Sequence, residues 1–189
     1  MADSPFEELE AHEHAEHAAH AAHGNSPLVS QVTLTIAVMA VIAAVGGSLE
    51  TTEGDKTIVS KNEAVLQQNQ ATDTWNEYEA KSLKKNLYAI AADQGGPKAA
   101  AYAKISAQNA DDQKPLQARA KAFEEARDKM SEVAEVHERR HGRLTIASTL
   151  LHMAIAIATL AIILGQRWPW FTSLALTAAG LGLAAWAYL

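Results

Sequence analysis

Residues 144–164 read LTIASTLLHMAIAIATLAIIL, a run of about 20 residues without Asp, Glu, Lys or Arg. An α-helix rises about 1.5 Å per residue, so such a run matches a hydrocarbon core of about 30 Å. Two other stretches read the same way: residues 28–49, LVSQVTLTIAVMAVIAAVGGSL, and residues 170–189, WFTSLALTAAGLGLAAWAYL. Neither holds a fixed charge. A chain of 189 residues has too few polar helices left to cover three all-apolar ones, which disfavours a soluble bundle. The expected fold class is an all-α membrane protein. Three transmembrane helices are expected, with a long helical, coiled-coil hairpin between the first and the second.

Outward from these runs, the charge is uneven. Residues 1–27 carry six acids, Asp3, Glu7, Glu8, Glu10, Glu13 and Glu16, and no Lys or Arg. Residues 50–143 are nearly balanced, with 16 acids and 15 bases, and Arg167 is the one base elsewhere. There is no cysteine, which excludes disulfides, thiolate metal sites and thiol catalysis. The N-terminus lacks the positive segment and short apolar stretch of a secretory signal, so residues 28–49 are read as a retained helix. Bases near span ends mark the cytoplasmic side. Arg139, Arg140 and Arg143 stand before the second run, and Lys56 and Lys61 follow the first. The expected arrangement is a membrane protein with a cytoplasmic insert and its N-terminal tail outside. Trp168, Trp170 and Phe171 would lie at the outer interface, Trp186 and Tyr188 at the inner one.

The insert, residues 50–143, is expected to be a soluble helical hairpin. Gly95-Gly96-Pro97 marks one break, because Gly ends helices and Pro begins them. A second break is expected at 111–115, where Pro115 should kink or restart the returning arm. From there Leu116, Phe123, Ala126, Met130, Val133 and His137 fall at steps of three and four, the spacing of a coiled-coil seam, and are expected to hold copies of the chain together. The outgoing arm offers a looser stripe: Val65, Trp75, Tyr78, Leu83, Leu87 and Ile90. Charge pairs one turn apart, among them Glu77–Lys81 and Glu135–Arg139, mark solvated faces. A turn at 165–169 joins the second and third runs.

Histidine is the residue type that raises chemical questions. In the tail His14, His17, His20 and His23 recur every third residue. Adjacent pairs could chelate zinc, nickel or copper, but the same residues also suit a solvated tail of Glu–His pairs that changes charge below about pH 6. His152 lies inside the second run. An ionisable group at that depth is costly, so His152, with Thr149 and Thr159, is a candidate for a pore lining or proton relay. The plainer reading is a neutral imidazole bonded to a hydroxyl, that of Ser148 one turn earlier or of a residue in another span. Small residues four apart, such as Ala154–Ala158 and Ala178–Gly182, support close helix packing. No phosphate-binding glycine loop, nucleophile elbow or dinucleotide fingerprint occurs, and no basic patch for nucleic acid.

The acidic opening Met1-Ala2-Asp3-Ser4-Pro5-Phe6-Glu7-Glu8-Leu9-Glu10 carries a resemblance, as does Ser60-Lys61-Asn62-Glu63-Ala64 through Trp75-Asn76-Glu77-Tyr78-Glu79-Ala80-Lys81-Ser82 to Leu87-Tyr88. The chain resembles a family of bacterial membrane proteins known as domain of unknown function 4337. The resemblance implies the same order of spans and insert and a bacterial inner-membrane location, with the N-terminus then periplasmic, and no activity, cofactor or site. The function expected first is a non-enzymatic, homo-oligomeric inner-membrane scaffold or accessory subunit. It would act through its hairpin on an unidentified membrane or cytoplasmic partner and need no cofactor. The second expectation is a channel or proton-coupled transport component with a path near His152.

Overall fold

A computed structural model describes residues 27–189. It is all-helical, with no strand among the described residues. Helix α1 spans Pro27–Asp93, 67 residues without interruption. Helix α2 spans Ala99–Leu164. Helix α3 spans Trp168–Trp186. Proline occurs in α1 only at its first position, where its missing N–H costs nothing.

The turns lie where backbone chemistry allows a helix to stop. After Asp93 the N–H groups of Gln94 and Gly95 bond back to the carbonyls of Ile90 and Ala92. Gly95 and Gly96 then take positive φ, 76° and 98°, which side chains with a Cβ resist. The second turn uses Gly165 at φ 63°, and Pro169 sits in the first turn of α3.

The break expected at 111–115 is not there. Pro115 lies inside α2, and the helix runs through it. Proline removes the hydrogen bond to the carbonyl of Asp111, but Asp111, Asp112 and Pro115 are all exposed, so water can take the freed carbonyl. Nearby side chains add support: Asn109 donates to the Ile105 carbonyl at 2.8 Å, and Gln113 to the Tyr78 carbonyl at 3.3 Å.

Two compact units divide the described residues, one built from residues 27–57 and from Glu135 onward, the other from Ile58–Ala134. In the first, Val32, Ile36, Met39 and Ala43 of α1 form a core with Leu151, Ala154, Ile155, Ala158 and Ala161 of α2. Trp170 and Leu176 of α3 pack against it. At Gly180 α3 approaches α2 so closely that a Cβ would stand 3.1 Å from the Ala147 carbonyl oxygen. Trp170 donates its indole N–H to Thr35 at 3.3 Å. Arg143 donates to the Trp186 carbonyl at 2.9 Å and lies over the Trp186 ring, and Arg140 lies over Tyr188. The Trp186 carbonyl, at the end of α3, thereby gains a cationic partner.

The second unit has a small and polar seam. Its buried residues are Ala64, Ala71 and Thr74 on α1 and Asn109, Gln113, Ala120 and Ala134 on α2. The outgoing stripe expected from sequence is largely turned outward instead: Val65, Leu83, Leu87 and Ile90 are all exposed. Alanine lets two helices approach closely, and that close fit excludes the larger side chains to the outer faces. On α2 the expected seam is partly used within the chain. Phe123 flanks a shallow depression lined by Gln70, Thr74 and Glu77 of α1, while Val133 is 42% exposed. Cross-helix bonds fasten this unit: Trp75 to Glu124 at 2.9 Å, Lys81 to Asp112 at 2.7 Å, and Arg127 to Gln68. Lys81 therefore reaches across to Asp112, with Glu77 adding only its charge, and its ammonium is held above the usual lysine range.

Candidate functional site

Just beyond the apolar run of α1, two turns of helix carry Glu50, Glu53 and Lys56. Facing them on α2, just before its apolar run, are His137, His141 and Thr145. Both sets belong to the first unit. Glu53 is 2% exposed, the most deeply buried ionisable side chain among the described residues. Its Oε2 accepts from His137 Nδ1 at 2.6 Å, and its Oε1 accepts from Lys56 Nζ at 3.0 Å. A carboxylate only accepts, so His137 carries its proton on Nδ1. One turn nearer the apolar core, His141 Nδ1 donates to the Glu50 carbonyl at 3.0 Å. Thr145 Oγ1 lies 2.7 Å from Glu50 Oε1 and 3.0 Å from the His141 carbonyl, and its single proton can serve either.

Glycine makes this contact possible. A Cβ on Gly54 would stand 3.3 Å from the His141 ring, so the imidazole sits where α1 has no side chain. Burial acts to raise the Glu53 carboxyl. The hydrogen bonds from His137 and Lys56, with their charges, outweigh it and hold the group below its ordinary value of 4.5. The site is thus an ionised carboxylate in a nearly dry contact, bonded to both neighbours. No buried side-chain polar atom among the described residues lacks a partner. Such an arrangement can hold α1 and α2 in one register. Among the described residues no group of three or more His, Asp or Glu is placed to hold a metal.

Of these residues the sequence reading singled out His137 alone, and as part of a seam between copies. The structure turns it onto Glu53 of the same chain. A signal was available. Two acids three apart follow one apolar run, and two histidines four apart precede the next, so an antiparallel hairpin brings them level.

The other candidates are arranged differently. Thr149, His152 and Thr159 share one outward face of α2, and His152 is exposed. Each bonds to its own helix: Thr149 to the Thr145 carbonyl, His152 Nδ1 to the Ser148 carbonyl at 2.9 Å, and Thr159 to the Ala156 carbonyl. His152 thus uses the backbone of Ser148 and leaves its hydroxyl alone. His14, His17, His20 and His23 lie outside the described residues.

Comparison with known proteins found no match among curated proteins and none among solved structures. A family model does match, over residues 28–189, which takes in all of α2 and α3 and all of α1 but its first residue. The chain belongs to the family described as domain of unknown function (DUF4337).

Proposed function

We propose that this protein is a non-enzymatic scaffold of the bacterial inner membrane that self-associates through its helical hairpin. One observation carries the reading. The seam inside the second unit consumes alanine and polar residues, while Ile58, Val59, Val65, Leu66, Leu83, Leu87 and Ile90 remain exposed. Large apolar side chains left outward on a hairpin suit a protein partner, and copies of the same chain are the simplest one.

Support for the membrane comes from the first unit. Both α1 and α2 contain a stretch long and apolar enough to cross a bilayer. Leu34, Val38, Val41 and Val45 face outward on α1, as do Ile146, Met153, Leu160 and Ile163 on α2. Trp168, Phe171, Trp186 and Tyr188 are exposed at the two ends of α3, where aromatic belts would lie. The arginines before the apolar run of α2 favour a cytoplasmic hairpin.

The test is an intact-mass measurement of the purified protein in mild detergent, with Leu83, Leu87 and Ile90 changed together to Ser as the comparison. The expected result is an oligomer that the triple variant loses. A wild-type chain that stays monomeric at every concentration overturns the reading.

A transport role draws on the shared outward face of Thr149, His152 and Thr159. It requires a wild-type ion flux in liposomes that His152→Ala abolishes, and a wild-type protein without flux ends it.

A further inference from the structure

The apolar run of α2 holds five polar side chains, Thr145, Ser148, Thr149, His152 and Thr159. Four of them, all but Ser148, fall on one face together with Ala156 and Ile163, at alternating steps of four and three. That alternation is the spacing by which helices pack lengthwise. The elements of this chain do not cover most of the face: Thr149, His152, Ala156 and Ile163 are exposed, Thr159 is half-buried, and Thr145 at its near end bonds to Glu50 of α1. They cannot readily do so, because α1 and α3 are engaged on the opposite side, at Leu151, Ala154 and Ala158.

Lipid is a poor cover for this face. The Ser148 carbonyl only accepts, so His152 donates from Nδ1 and its Nε2 keeps a lone pair directed outward. The threonine hydroxyls of 149 and 159 likewise spend their protons on their own helix. Threonines bonded in this way are tolerated in lipid, but an imidazole acceptor in hydrocarbon is costly, and ionisable side chains in membranes almost always face protein or water.

We propose that this face is a contact between two copies of the chain, centred on His152. The inference rests on the membrane reading above. The face suits itself. It carries no fixed charge to repel an identical face, and Ala156 at its centre lets backbones approach. Two identical rings in the same tautomer both present acceptors, and a single water has two O–H groups, one for each Nε2.

The chain has no cysteine, so single cysteines report directly. Thr149→Cys, Ala156→Cys and Thr159→Cys would be oxidised in native membranes beside Val41→Cys on α1 and Leu181→Cys on α3, both at exposed positions. Disulfide-linked dimer is expected at the three α2 positions at about five times the yield at the two controls or more. His152→Leu should weaken self-association about tenfold, the order expected for an interhelical hydrogen bond, and His152→Gln should retain most of it. Equal yields at all five positions, or α2 cysteines linked to a different protein, overturn the proposal. Carbonate extraction separates the two failures. A chain washed off the membrane ends the membrane reading and this inference with it. A chain that stays in the membrane and assembles without α2 cross-links ends this inference alone.

Discussion

Glu53 is subject to two opposing effects. Burial penalises its charge, while the His137 and Lys56 hydrogen bonds stabilise it, and the bonds prevail. A carboxyl held below its ordinary value contributes stability that is complete above that value and is lost as the pH falls through the lower, folded-state value. Glu53→Gln keeps the shape and removes the charge. It should lower stability by about 1–3 kcal/mol at neutral pH, the range for a hydrogen bond to a charged group. The gap between wild type and variant should hold steady from neutral pH down to about 5 and close below 4.5, the group's ordinary value. Thermal unfolding in detergent across that range measures it. A gap that instead closes between pH 6 and 8 would mean that the Glu53 carboxylate is not the group that matters.

At the scale of the helices, glycine and proline give sharper tests than the apolar residues. Gly180 stands against the Ala147 carbonyl, which cannot rotate away as a side chain can. Gly180→Ala should destabilise the first unit by about 1–3 kcal/mol through overpacking. Gly182, in the same helix, has nothing within 4 Å of an added Cβ. Gly182→Ala should therefore be neutral or gain up to about 1 kcal/mol from helix propensity, and the two unfolding midpoints should diverge. Pro115→Ala restores a hydrogen bond inside α2 and should stabilise the hairpin by about 1–3 kcal/mol, read by hydrogen exchange around Asp111 and Pro115. The same elements show what was legible in the chain. Gly95-Gly96-Pro97 announced its turn because positive φ has few other hosts. Pro115 misled because a helix can carry a proline where water takes the freed carbonyl. The outgoing stripe gave no guide to the contact within the hairpin, because Val65, Leu83, Leu87 and Ile90 are exposed. The helices instead meet through Ala64, Ala71, Ala120 and Ala134, whose value lies in how little space they fill. The clasp at Glu53 was missed because each half, alone, is only a charged residue beside an apolar run.

At the scale of the whole molecule, the arginines before the apolar run of α2 carry two roles that one experiment separates. Arg140 and Arg143 stack on Tyr188 and Trp186, and Arg143 also holds the Trp186 carbonyl, so they organise the end of α3. On the membrane reading proposed above, these bases would also favour the cytoplasmic side for that end. With no native cysteine, single cysteines placed at Ser4, Lys104 and Gln166 each report one side of a membrane. In intact cells an impermeant maleimide is expected to label Ser4→Cys and Gln166→Cys, and to reach Lys104→Cys only after the membrane is opened. The reverse pattern would place the hairpin outside and show that the stacking role alone accounts for the arginines. Replacing Arg143 with Gln then tests the structural role by itself. With Arg139 and Arg140 still present the labelling pattern should hold, because orientation follows the summed bases near the spans. The Trp186 fluorescence should nonetheless shift, since its ring loses the guanidinium 4.4 Å away.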